Sequence, residues 1–471
     1  MDEAKASKVN QGGARTRRDG PEAPRTAPAD ATGRRGPSRG KRVAFAAILL
    51  GMAWLSCEVA AWPLYRIVAG KPFSWSGLQE ERRERAGRPE GIGAGVMSRV
   101  HPYVGYVQDP SPSSGQVRLA DGKTMPISNF GYIDDKDPIH KREPGKVIVG
   151  ILGGSVASFF GVNGVHRLEE VLKTSPEYAG KEFVFVNAAL GGYKQPQQLT
   201  TLAYLTALGG EFDIVVNIDG FNEVALHELE NAGHHVFPAF PRSWHARVGL
   251  DDPRLAASKA AMAAIEESRN AWARWASDPP WRWSILGNLV WKLRDRRLER
   301  DAYELVKAHQ ELKVRSEPYV ATGPARDFAS RDELFEMLAS IWSNSSLGLR
   351  GLCEPAGTRY FHFLQPNQYD GDSKPMVSAE RRVAFNEGHP YRKGVQSGYP
   401  LLRRNGATLR ERGVSFHDLS GLFRDRAEGL YVDDCCHFNQ RGLDIMAEAI
   451  GRAILDDSAR SRDGGSTPAS R

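Results

Sequence analysis

Between Tyr431 and Gly442 the chain reads YVDDCCHFNQRG, so that Asp433, Asp434, Cys435, Cys436 and His437 stand side by side. Three chemistries use such residues: a metal site, a disulfide corner, or the acid–base half of a catalytic apparatus. The metal reading fails on spacing. Cys435, Cys436 and His437 are consecutive, whereas paired zinc ligands are usually separated by about two to four residues, and there is no second CxxC or HxxxH cluster. Neither a metal nor a cofactor is expected. His437 with Asp434 three residues before it gives an Asp-x-x-His spacing. A turn of that length can bring a carboxylate onto the imidazole Nδ1–H while Nε2 faces a nucleophile. Asp433 competes with Asp434 for this role.

An ester-cleaving site needs, besides a base and its orienting acid, a nucleophile and donors for the oxyanion. The apolar run VIVGIL leads into GGSVA, which places Ser155 just past a strand and at the start of a helix. Alone, GGS is a turn or cap, and it is not the G-x-S-x-G elbow because Ala157 replaces the last glycine. Two further apolar runs lead into NAALGGY and DGFNE. They set Gly192 where backbone can approach a ligand and Asn222 where a side-chain amide can face a substrate oxygen.

The elements that must position these residues are legible as short apolar runs: 147–152, 183–190, 212–219, 359–366 and 414–419, with helical text between them. Near-continuous β-branched and aromatic runs suit strands covered on both faces. Their alternation with helices predicts a three-layer α/β/α architecture with a mostly parallel sheet, and ligands of such sheets bind beyond the carboxyl ends of the strands. The interval from about 227 to 357 is too long for a crossover and reads as a helical insertion carrying Trp272, Trp275, Trp281, Trp283 and Trp291.

Taken together, GGSVA around Ser155, NAALGGY around Gly192, GFNE around Asn222 and DDCCHFN around His437 resemble the four blocks of the SGNH or GDSL hydrolase family. The resemblance covers roughly residues 145–226 and 358–456. It implies the flavodoxin-like SGNH hydrolase fold, with Ser155 as nucleophile, His437 as general base and acid, and Asp434 orienting it. The backbone N–H groups of Ser155 and Gly192 and the Asn222 amide would then form the oxyanion hole. Two positions depart from the family pattern: Gly154 stands where an aspartate usually precedes the serine, and Glu223 where an aspartate usually follows the asparagine.

The formal charge of +6 is confined to the front of the chain, where residues 1–42 hold 11 Lys/Arg against five Asp/Glu. The remainder is about neutral, which excludes a dedicated nucleic-acid surface. Residues 1–42 are expected to be a disordered basic tail. Residues 43–69 are expected to be one transmembrane helix: Val43 to Trp62 has the length of a bilayer span, with Glu58 its only charge. Trp54, Trp62 and Tyr65 would supply an interfacial belt, and the apolar run is longer than that of a cleaved signal peptide. The basic flank predicts a cytoplasmic N-terminus and an exported, periplasmic or extracytoplasmic, catalytic domain. A linker and small β-rich region at 70–145, a hydrolase-like domain at 146–456 and a disordered tail at 457–471 complete the organisation. On the exported side a disulfide is permitted, and Cys353 with Cys435 or Cys436 is the expected pair. The expected function is a membrane-anchored serine esterase acting on an ester-bearing substrate such as an acetylated cell-envelope or exported glycan. The alternatives are an O-acyltransferase for an exported polysaccharide and a non-catalytic envelope scaffold.

Overall fold

The computed structural model of the protein describes residues 39–70, 72–86, 98–110, 116–118, 124–248, 253–312 and 318–464. Most of the basic tail, the Gly-rich part of the linker and residues 465–471 lie outside the described residues. The chain divides after Ala60 into two units. The first contributes most of α1 (Arg39–Ala69), whose apolar side chains, Phe45, Leu50 and Val59 among them, are exposed. Its 31 residues extend about 46 Å at roughly 1.5 Å each, against about 30 Å of bilayer hydrocarbon. The helix is long and apolar enough to cross a membrane.

In the second unit the last turns of α1 are covered by protein. Ala61 and Tyr65 are each only 1% exposed, in a cluster with Leu78 of α2 (Trp75–Ala86) and with Ala273, Ala276, Leu289 and Trp291. Tyr65 was expected in an interfacial belt; instead its ring packs edge-on against Phe73. Two small hairpins follow, β1 (Arg99–His101) with β2 (Gly105–Val107) and β3 (Gln116–Arg118) with β4 (Thr124–Pro126).

The central sheet is built from β5 (Lys146–Gly153), β6 (Glu182–Asn187), β7 (Ile214–Asp219), β8 (Arg359–Leu364) and β9 (Ser415–Asp418). Their order is β6-β5-β7-β8-β9, and every neighbouring pair is parallel. Each apolar run of the sequence falls on one of these strands. The central ones are apolar along their length because both faces are covered: all six residues of β7 are buried, as are all but the first of β5 and β8.

The helices form two sets. One comprises α3 (Ser155–Asn163), α4 (Val165–Leu172) and α14 (Gln440–Gly464), and the other α5 (Gln197–Ala207), α6 (Phe221–Glu230), α11 (Arg331–Cys353) and α13 (Pro390–Glu411). Outside these sets lie α7 (Trp244–Val248), α8 (Pro253–Ser277), α9 (Ile285–Glu311), α10 (Pro318–Thr322) and α12 (Ser378–Ala384), with α8 packed on α9 and α2, and α7 on α10. Two differences from the sequence reading follow from burial. α11 falls inside the expected insertion yet is the crossover helix between β7 and β8, with Trp342 and Leu349 fully enclosed. α14 continues to Gly464, past the expected start of the tail at 457, because Ile454 and Ser458 on its inner side remain buried.

β5 pairs with β6 on one side and β7 on the other, so the chain reverses its progress across the sheet there. In open parallel sheets this leaves a crevice at the carboxyl ends of the strands, where Ser155, Gly192 and Asn222 all fall.

Candidate active site

Ser155 is the first residue of α3, directly after β5, with Gly154 as the N-cap. Its backbone N–H is among those a helix start leaves without an intrahelical acceptor. Gly154 is required sterically: a Cβ there would lie 2.2 Å from Asn222 Nδ2 and 3.3 Å from the Tyr193 carbonyl. The glycine at 154 thus makes room for the amide beside the serine. Asn222 lies near the start of α6, is 8% exposed, and donates one N–H to the Tyr193 carbonyl at 2.7 Å. Its second N–H has no protein acceptor among the described residues.

The loop between β6 and α5 supplies the third wall. Gly192 adopts φ +81, in the left-handed region, and a Cβ there would collide with Tyr106 Oη at 2.8 Å and Arg242 Cδ at 2.5 Å. Gly191 approaches Ser155, its hypothetical Cβ 3.9 Å from the serine Cβ. Tyr106 from β2 donates to the Gly191 carbonyl at 2.7 Å. The preceding β-rich region therefore holds this loop down.

His437 completes the arrangement. Its Nε2 is 2.7 Å from Ser155 Oγ and its Nδ1 is 2.5 Å from Asp433 Oδ2. The orienting carboxylate is Asp433 and not Asp434, a correction with a clear physical cause. Asp433 Oδ1 accepts the backbone N–H groups of Cys435, Cys436 and His437 at 3.0, 3.1 and 3.2 Å. The loop is wound around that carboxylate, and the winding turns His437 back onto its other oxygen. Asp434 instead projects outward, its side chain 45% exposed and 4.0 Å from His389 Nε2. Burial alone would raise the Asp433 pKa, but the bonds from His437 and the backbone hold it down at about 2. The imidazole edge is packed by Phe159, with ring centroids 5.0 Å apart.

Three consecutive residues after β8 position this loop. Asn367 Nδ2 donates to the Cys435 carbonyl at 3.1 Å, Gln368 Nε2 to the Asp433 carbonyl at 3.0 Å, and Tyr369 Oη to the Asp434 carbonyl at 2.7 Å. All three are nearly or fully buried. Sequence reasoning missed them, although a polar NQY run directly after a buried strand is a readable signal. It also missed the carboxylates that join the other two loops. Glu223 accepts Gly220 N–H at 2.8 Å and Gln195 N–H at 2.9 Å, while Asp219 accepts Gln195 Nε2 at 3.1 Å and Trp342 Nε1 at 2.6 Å. Burial, reinforced by the Asp219 charge, raises the Glu223 pKa well above the usual carboxylate range.

Asp219 belongs to a second serine–histidine–aspartate chain. His362 Nε2 is 2.8 Å from Asp219 Oδ1 and His362 Nδ1 is 2.8 Å from Ser346 Oγ. All three residues are enclosed. No substrate reaches them, so this chain is structural, whereas Ser155 and His437 stand partly open to solvent.

The cysteines do not pair as expected. All four are free thiols. The Cys353 carbonyl bonds Thr358 N–H just before β8, while the Cys435 carbonyl is held by Asn367 just after β8. The length of the strand, about 3.3 Å per residue, separates them. Cys435 and Cys436 instead bring their sulfurs 3.1 Å apart. Their sulfurs and a His437 ring nitrogen lie within 4.8 Å of one another, closer than consecutive positions suggest. Both ring nitrogens are already engaged, by Asp433 and Ser155, so a cation there would compete with those bonds.

The arrangement can activate a hydroxyl, receive its proton and offer several N–H groups to an oxygen beside it. Compared with known proteins, the chain matches no protein-family model and no curated protein.

Proposed function

We propose that the protein is a serine esterase of SGNH type, anchored to a membrane by α1. The observation that carries this reading is the continuous hydrogen-bond chain Asp433–His437–Ser155 at the carboxyl edge of the sheet. In this reading Ser155 Oγ attacks the ester carbonyl carbon as its proton passes to His437 Nε2. Asp433, ionised throughout, steadies the imidazolium. The negative charge on the former carbonyl oxygen is met by the Asn222 amide and by the backbone N–H groups of Ser155 and Gly192. Collapse breaks the ester C–O bond, with His437 protonating the departing alcohol; water activated by the same histidine then frees the acid and restores Ser155. Were the second acceptor a sugar hydroxyl in place of water, the same groups would perform acyl transfer. An ester on a cell-envelope or exported glycan is the substrate class we propose.

The basic residues ahead of α1 favour a cytoplasmic N-terminus, with the site on the exported side. The test is labelling of the full chain in detergent with a fluorophosphonate, together with hydrolysis of p-nitrophenyl acetate. Wild-type protein should take up the label and release p-nitrophenol, and Ser155→Ala should do neither. Equal turnover by the Ser155→Ala variant would remove the assignment.

A further inference from the structure

A cavity of about 690 Å³ lies away from Ser155, between α2 and the connection from α8 to α9. Its walls include Trp75, Arg82 and Arg83 on one side and Arg282 and Trp283 on the other. None of these residues takes part in the serine site.

The charges in this cavity are unbalanced. Arg82 is only 3% exposed, and its guanidinium bonds the Asn288 side-chain oxygen, leaving Nε without a partner. No carboxylate contacts it among the described residues, although a buried guanidinium ordinarily requires one. Glu81, the adjacent acid, is bound to Lys292. Burial makes the Arg82 cation harder to hold, and the charge of Arg282 adds to this, while Tyr65 and Glu81 offset it only in part. Arg282 is exposed and likewise contacts no carboxylate among the described residues; its guanidinium lies 3.9 Å above the Trp283 ring. Of the three guanidinium groups that line the cavity, Arg83 pairs with Glu80, and Arg82 and Arg282 have no carboxylate partner among the described residues.

The location is equally specific. Trp75 follows the end of α1 by six residues, a reach of at most about 20 Å. Tyr65 in the last turns of α1 belongs to the same buried cluster as Ala273 and Ala276, the residues that lead into the cavity wall at Ser277. Trp75 and Trp283 are 46% and 60% exposed, as tryptophans are where a chain meets the headgroup layer. Arginine forks match phosphate oxygens in pairs.

We propose that this cavity binds a phosphate group, supplied by the headgroup of an anionic membrane phospholipid and held by Arg82 and Arg282, with Trp75 and Trp283 resting at the bilayer surface. The phosphate chemistry follows from the cavity alone; its lipid source rests on α1 being a membrane span. Neither depends on the serine site.

The experiment uses the full chain in a neutral detergent, measuring thermal unfolding against short-chain phosphatidylglycerol, short-chain phosphatidylcholine and inorganic phosphate. Phosphatidylglycerol should raise the midpoint saturably and phosphatidylcholine should not, with inorganic phosphate competing at higher concentration. Arg282→Gln, at an exposed position that folding does not need, should weaken the phosphatidylglycerol response about tenfold or more, and Arg82→Gln should abolish it. Stabilisation by inorganic phosphate alone would overturn the lipid assignment. No response to either anion, or an undiminished response in Arg282→Gln, would overturn the site itself.

Discussion

Replacing Asp433 with asparagine tests the proposed catalytic geometry most directly, because the two neighbouring aspartates give opposite expectations. Asparagine keeps an oxygen able to accept the backbone N–H groups of Cys435, Cys436 and His437, so the loop retains its winding. It places an amide, or an uncharged oxygen, against His437 Nδ1 in place of the carboxylate now 2.5 Å away. An amide N–H there forces the imidazole proton onto Nε2, the atom that must accept from Ser155 Oγ. Loss of an orienting carboxylate in such a chain costs about 10⁴ in kcat, roughly 5.5 kcal/mol of barrier. Asp434→Asn neutralises a half-exposed side chain that lies 4.0 Å from the His389 imidazole, itself held toward its neutral form by burial, an interaction of about 0–1 kcal/mol, and should change kcat by less than about threefold. The assay is kcat on p-nitrophenyl acetate with thermal midpoints measured in parallel. A large loss in Asp434→Asn with near-normal turnover in Asp433→Asn would refute the assignment. Asp433 also carries a stability term. Its folded pKa of about 2 lies below the unfolded value near 3.8. The carboxylate therefore stabilises the fold above about pH 4 and loses that contribution as pH falls through about 2. The full shift corresponds to about 2.4 kcal/mol, which solvent screening at this partly exposed position reduces to about 1 kcal/mol.

Asn222→Ala should lower kcat about 10²- to 10³-fold with little change in KM, since in the proposed mechanism the amide acts on charge that develops only in the transition state; an unchanged kcat would exclude Asn222 from the oxyanion site. Asn367→Ala should leave the part-buried Cys435 carbonyl without its protein donor, costing about 1 kcal/mol of stability, and should slow fluorophosphonate labelling of Ser155 by about tenfold or more through the displaced loop. Labelling at the wild-type rate in folded Asn367→Ala would show that the NQY run does not position His437. His227 is held neutral by burial, its pKa lowered to about 3 from the ordinary value of 6.5. The unfolded chain therefore binds a proton first as pH falls, and stability should drop progressively below about 6.5, by about 2 kcal/mol near pH 5 from this residue. Urea midpoints from pH 7 to 5 measure the slope, and His227→Gln should reduce it; an identical slope in the variant would assign the acid sensitivity elsewhere.

Much of the scaffold could be read from the amino acids in order because parallel strands buried on both faces must be apolar along their length. VIVGIL and FDIVVNID are such runs, and the chemistry-bearing residues follow their carboxyl ends. Ser155, Gly192 and Asn222 were legible for that reason, and His437 from its short spacing to an aspartate. What sequence order left open depended on how separate segments meet. Asp433 and Asp434 differ by one position, and only the winding of three backbone N–H groups around one carboxylate selects between them. The Cys353 pairing failed because β8 stands between its partners, a distance that has no trace in composition. α11 was taken for insertion because its role as a crossover rests on Trp342 reaching Asp219 from 123 positions away. The NQY anchors and the two-arginine cavity likewise exist only where distant segments converge. Local periodicity and turn chemistry are thus properties of the sequence itself, whereas the orientation of a base, the partner of a thiol and the balance of buried charge are settled by packing among segments far apart in the chain.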